Sequence, residues 1–268
     1  MQGASRDALA TAREQLAALR GELDLGAAGE GLLSVVRLLD RETRLRRTLG
    51  DPTTPQQAKE SLLDSLLGSQ LDAGAMRLLK SAVGQRWSAA RDLVDAIEVL
   101  GVTALLLVAE GDGTLDATEN EVFRFERALS GSSELRAILT DRGLDPERKT
   151  ALLDGLLAGK ANGTTRRIVS QAVLAPRGRT IEDALAQFAG LASDVRSRTL
   201  ATVTSAVPLD DAQRARLAAT LTSQLGREVQ LQVEVDPSVI GGVLVKVGDE
   251  VIDGSTRNRL AEARRSLS

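Results

Sequence analysis

A chain of 268 residues with a formal net charge of −3 suits two or three small domains rather than one core. That charge supplies no bulk drive toward nucleic acid or an anionic membrane. There is no cysteine, histidine or tyrosine, which excludes disulfides and thiol catalysis and removes the commonest general base and transition-metal ligand.

Aromatic side chains are limited to Trp87, Phe123, Phe125 and Phe188, too few for base-stacking platforms or an aromatic ligand pocket. No run approaches the roughly 20 apolar residues that span a bilayer. Val99 to Ala109 is the most apolar stretch and reads as a buried helix. The N-terminal Met1 to Asp7 lacks the apolar region of a secretory signal.

In chain order, Leu9, Ala12, Leu16 and Leu19 recur at helical spacing and predict a helix over 5–23, with Ser5 as its N-cap. Gly26 to Gly31 reads as a break. Leu32 to Leu49 is amphipathic, with Leu32, Val35, Val36, Leu39, Leu45 and Leu49 inward. Arg37, Arg41, Arg44, Arg46 and Arg47 read as a solvated helix face rather than a binding patch. Asp51 to Pro55 is a connector. Helices follow over Gln56–Leu67, Asp72–Gly84 and Ser88–Leu107.

The chain then repeats itself at an offset of about 90 residues, near the size of a small domain. Lys59, Leu62-Leu63-Asp64 and Leu66-Leu67 match Lys149, Leu152-Leu153-Asp154 and Leu156-Leu157. Ala82-Val83 matches Ala172-Val173, and after one inserted position Val94 and Ile97 match Leu185 and Phe188. Two copies of this length are a duplicated helical module, not a short-period solenoid. The second copy begins near Val99 with a helix to Ala109, followed by Asp116 to Leu129. Asp112, Asp116 and Glu119 lack the ligand spacing and central glycine of an EF-hand, and read as a turn and an acidic helix start. Asp145-Pro146 opens the next helix. Arg177 and Arg179 lie in a loop over 175–180 and read as loop charge.

From Leu200 the pattern alternates, predicting a strand to Val207. Asp210 caps a helix with Leu217, Leu221 and Leu225 inward, and Gly226 stops it. Glu228 to Val235 reads as a second strand, Ile240 to Val247 as a third, and Gly248-Asp249-Glu250 as a hairpin turn. Val251 and Ile252 pair back before Asp253-Gly254-Ser255 leads into a closing helix. Gly241-Gly242 with Lys246 is not a phosphate loop, because the lysine sits inside a strand. Asp249, Glu250 and Asp253 lie where carboxylates serve local hydrogen bonding, so no catalytic, metal or cofactor residues are expected.

Asp236-Pro237-Ser238, Ile240-Gly241-Gly242-Val243, Val247-Gly248-Asp249 and Val251-Ile252-Asp253-Gly254-Ser255, followed by Arg257 and Arg259-Leu260, resemble the C-terminal signature of the delta subunit of F-type ATP synthases. This family includes the mitochondrial oligomycin-sensitivity-conferring protein. The resemblance covers roughly Val99 to Ser268; the first copy is extra relative to the common form and resembles the actinobacterial type. It implies a mainly α fold: two helical-bundle modules, 1–98 and 99–198, followed by a small α/β domain with a β-hairpin over 199–268.

It also implies a non-catalytic stator subunit, peripheral on the cytoplasmic face of the membrane, joining the catalytic head to the b stalk so that proton-driven rotation is coupled to ATP synthesis. The implied partners are the N-terminal helix of an alpha subunit and the C-terminal helix of the peripheral-stalk b subunit, with no nucleic acid and no membrane insertion. The family's signature residues fall here on Asp236, Pro237, Ile240, Gly241, Gly242, Gly248, Asp249, Val251, Ile252, Asp253, Gly254 and Ser255. A free-standing adaptor for an amphipathic partner helix is the alternative.

Overall fold

The computed structural model describes residues 3–141, 143–225, 229–236, 242–247 and 250–253. The chain divides into two compact units, 1–192 and 193–268.

The first unit is helical. Its elements are α1 (Ala4–Leu19), α2 (Leu25–Arg41), α3 (Thr43–Gly50), α4 (Gln56–Leu67), α5 (Ala73–Gly84) and α6 (Ala90–Gly111), then α7 (Leu115–Gly131), α8 (Ser133–Thr140), α9 (Pro146–Leu157) and α10 (Gly163–Leu174). α11 (Ile181–Thr199) carries the boundary between the units. The bounds of α2 to α5 recur in α7 to α10 at a constant offset of 90. The inserted position falls in a loop: five residues join α5 to α6, and six join α10 to α11.

α6 follows α5 as α11 follows α10, and it precedes α7 as α1 precedes α2. One helix thus closes the first set of helices and opens the second, running without interruption through positions 98 and 99. Its sequence fits this double duty. Leu93, Val94, Ile97, Leu100, Val102, Leu105 and Leu106 cover its whole circumference and all are buried, as expected of a helix with neighbours on every side. Each such leucine contributes about 1.5–3 kcal/mol by leaving water.

Three sequence expectations change. Gly26 to Gly31 is not a break but the first turns of α2, capped by Asp24, whose side chain accepts from the Ala27 N–H at 2.9 Å. The glycines are tolerated because α2 crosses α6 closely: a Cβ on Gly29 would lie 2.9 Å from Leu105 Cγ and 3.0 Å from the Gly101 carbonyl oxygen. The stretch from Leu32 to Leu49 is two helices, divided at Glu42. Ser5 lies inside α1, not at its cap; its buried hydroxyl donates to Asp92 at 2.7 Å and accepts from the Ser88 N–H at 2.8 Å.

The lysines that mark the repeat are both buried. Lys59 Nζ donates to the Val83 carbonyl at the end of α5 (3.2 Å), and Lys149 Nζ to the Leu139 carbonyl at the end of α8 (2.9 Å). Each satisfies a helix C-terminus that lacks intrahelical donors. Burial pushes Lys59 below the usual lysine value, and Asp51 opposes the shift.

The second unit contains a four-stranded sheet in the order β2-β1-β3-β4: β1 (Leu200–Ser205), β2 (Gln230–Val235), β3 (Val243–Val247) and β4 (Glu250–Asp253). β1 pairs parallel with β2 through the crossover helix α12 (Asp211–Leu225), and antiparallel with β3. Period-2 alternation sends Ala201 and Val203 of β1 and Val245 and Val247 of β3 into a core with Leu221 of α12 and Val229. α12 starts on a capping box: Asp210 accepts from the Gln213 N–H at 2.7 Å, and the Gln213 side chain accepts from the Asp210 N–H at 3.0 Å. The fold is thus mainly α with a small C-terminal α/β part.

Candidate functional site

In the second unit, the Asp236 amide donates to the Ser205 carbonyl at 2.9 Å, tying the end of β2 to the end of β1. Gly242 enters β3 at φ +78°, a conformation that favours glycine. Val251, Ile252 and Asp253 lie in β4, facing Lys246, Val245 and Leu244 in the antiparallel register. Val251 is exposed. Pro237, Ile240, Gly241, Gly248, Asp249, Gly254 and Ser255 lie outside the described residues.

Sequence reasoning missed the most developed polar constellation among the described residues, which lies in the helical unit. Glu98 of α6 is wholly buried. Its Oε1 accepts from Gln171 Nε2 of α10 at 3.1 Å; its Oε2 accepts from Arg177 Nη2 and, at 2.8 Å, from Arg179 Nη2. Arg177 also pairs with Asp95 one turn earlier on α6. Gln171, itself wholly buried, accepts from Arg37 Nη1 of α2 at 3.0 Å. Burial, with Arg41 adding to it, holds Arg37 below the usual guanidinium value, while Glu30 pulls the other way.

Arg177 and Arg37 therefore correct the expectations of loop charge and a solvated face. Arg177 is buried, on a backbone at φ +52°, and Arg37 is half-buried. Of the other arginines in that group, Arg46 turns back to the Leu39 carbonyl at 2.9 Å, and Arg41, Arg44 and Arg47 are exposed. The only signal in the sequence was a single glutamate, Glu98, on an otherwise apolar run, which is costly in a buried helix unless paired.

Above this network, α2 and α10 stand apart across an open groove of about 820 Å³. Its walls carry Glu30, Leu33 and Arg37 on α2 and Arg166, Arg167 and Leu174 on α10, with Gly31, Ser34, Gly163 and Ser170 between them. An ion pair between Glu30 and Arg167 spans it. Such a surface suits packing and polar recognition. Among the described residues no helix is long and apolar enough to cross a membrane.

A long helical unit followed by a small sheet unit defines a two-part, mainly α protein. The family model described as ATP synthase delta (OSCP) subunit matches residues 102–267. The chain is 48% identical over 270 residues to the ATP synthase subunit delta of Streptomyces coelicolor, covering 100% of this chain and 98% of that one. It is 45% identical over 273 residues to that of Acidothermus cellulolyticus, covering 100% of both. A chain of the Toxoplasma gondii mitochondrial ATP synthase hexamer aligns at 21% identity with a TM-score of 0.30, over 62% of this chain and 94% of that one; so loose a likeness carries no argument.

The chain belongs to the ATP synthase delta (OSCP) family. It is a non-catalytic peripheral-stalk subunit of an F-type ATP synthase, in the long actinobacterial form, and not a free-standing adaptor. Because the alignments run the full length, those relatives share the first copy of the repeat.

Proposed function

We propose that the helical unit grips the N-terminal helix of an alpha subunit of the catalytic head, and that the sheet unit holds the C-terminal helix of the stalk b subunit, on the cytoplasmic face of the membrane. The supporting observation is the division into a helical unit and a separate sheet unit within a full-length family match. Such a division gives each partner its own surface. Helical bundles take amphipathic helices by anchors at i, i+3, i+4 and i+7. Two interfaces on one chain raise retention through effective concentration, which a stator needs if it is to resist rotor torque.

In this reading residues 1–98 and 99–198 form two modules that share α6, with 199–268 as the stalk-binding domain, and the duplicated module widens the hold on the head. The signature residues from Asp236 to Ser255 shape the stalk-binding domain rather than perform chemistry. The test is calorimetric titration of the full chain with two peptides, one copying the alpha N-terminal helix and one the b C-terminal helix. Binding of both, each with a negative heat-capacity change from apolar burial and neither displacing the other, is the expected result. Failure of both peptides to bind a folded chain, or competition between them, would overturn the proposal.

A further inference from the structure

We propose that Glu98 is the hub of a rigid joint, which fixes the angle between the two helical modules by linking α2 of the first to α10 of the second through Gln171. Both modules use α6, so the joint has to keep one module from turning about that helix relative to the other. Close packing seats α2 on α6, but that crossing does not tie α2 to α10. The seam between α2 and α10 is an open groove whose lining is mostly polar and charged, Glu30 and Arg37 on α2 and Arg166 and Arg167 on α10 among it. Direction must therefore come from polar contacts.

The network supplies it. Gln171 is wholly buried and has one donor and one acceptor engaged: its amide N–H₂ toward the Glu98 carboxylate, its carbonyl toward Arg37. Turning the amide over would set its donor against the Arg37 donors and its acceptor against the carboxylate, so the chain of bonds runs one way only. Glu98 is held from the other side by Arg177 and Arg179, and Arg177 is fixed by Asp95. The hub cannot shift without exposing a buried charge to an apolar interior, the costly outcome for a buried ion pair. Rotating α2 away from α10 would break the bond from Arg37 and leave a buried carbonyl unpaired. The Glu30–Arg167 pair fastens the same seam at its rim, where half-exposed ion pairs hold little by themselves.

In the stator reading, on which this consequence rests, the joint keeps the grips on the head at a fixed spacing. The joint itself is tested without that reading. The chain has no cysteine, so Ser65→Cys on α4 and Arg148→Cys on α9, both exposed, give two unique spin-label sites, one on each module. Pulsed electron-spin distances in the full chain should show one narrow peak. Arg37→Met keeps the aliphatic stem and removes the donor; it should broaden or split that peak with the helical circular dichroism intact. Glu98→Gln should broaden it further.

A peak as narrow in Arg37→Met as in the parent would overturn the joint. Loss of helicity in Arg37→Met would overturn it too, because Arg37 would then hold the fold and not the angle. If Glu98→Gln fails to fold, Arg37→Met decides alone. A mobile joint in a chain that still binds both partner peptides would sink the joint and spare the functional reading.

Discussion

Gly29→Ala should destabilise the helical unit even though alanine is the better helix former. The residue lies in α2, where Gly to Ala gains about 1 kcal/mol of helix propensity. Against this stands the crossing with α6. The new methyl would sit 2.9 Å from Leu105 Cγ, 3.0 Å from Leu105 Cδ2 and 3.0 Å from the Gly101 carbonyl oxygen. The leucine atoms include the branch carbon, and the oxygen belongs to helix backbone, so relief requires the two helices to separate. Overpacking of this kind costs about 1–3 kcal/mol, and rigid neighbours place it in the upper part of that range.

The net loss is about 1–2 kcal/mol, a fall in Tm of about 2–8 °C for a unit of this size. Gly155→Ala in α9 is the matched control: its Cβ would meet nothing within 4 Å, so it should gain about 0.5–1 kcal/mol from propensity alone. Thermal and urea unfolding followed by far-ultraviolet circular dichroism would compare the two. If Gly29→Ala proves as stable as Gly155→Ala, the close crossing does not constrain the helix pair and the reasoning fails.

Asp72→Ala removes the N-cap that accepts from the Ala75 N–H at 2.7 Å, and should cost about 1 kcal/mol in urea denaturation. Asn162→Ala, at the matching position of the repeat, should cost more, because its side chain also donates to Thr118 at 2.9 Å. Val203→Asp buries a carboxylate at the fully enclosed centre of β1; hydrogen exchange should lose its protection over 200–253 and keep it through α1 to α10. Hydrogen bonds from Thr53 and Thr180 hold Asp51 and Asp183 below the usual carboxylate range. Depressed carboxylates stabilise the fold fully above their unfolded value of about 3.9, and the contribution is lost as pH falls through the lower folded values. The double variant Thr53→Ala, Thr180→Ala should therefore lose less stability than the parent over that acid range; an identical acid limb in urea titrations would refute the assignment.

Much of the architecture is written in local pattern. Leucine and alanine at helical spacing mark α4 and α5 because a helix face needs only its own residues to declare itself. The 90-residue offset and its one inserted position follow from repeated letters. The strand–helix–strand order of the second unit follows from alternation in Leu200 to Val207 and from Asp210 as an N-cap. What tertiary structure alone decided are properties of pairs distant in the chain. A glycine run looks like a break until Gly29 meets Gly101 on another helix. Arg37 and Arg177 look solvated until Glu98, which lies 61 and 79 positions away from them, draws them inward through Gln171 or directly. That α6 serves both modules is likewise invisible to periodicity. Apolar residues lie all round it, and only the neighbours packed around it show that it belongs to two modules at once.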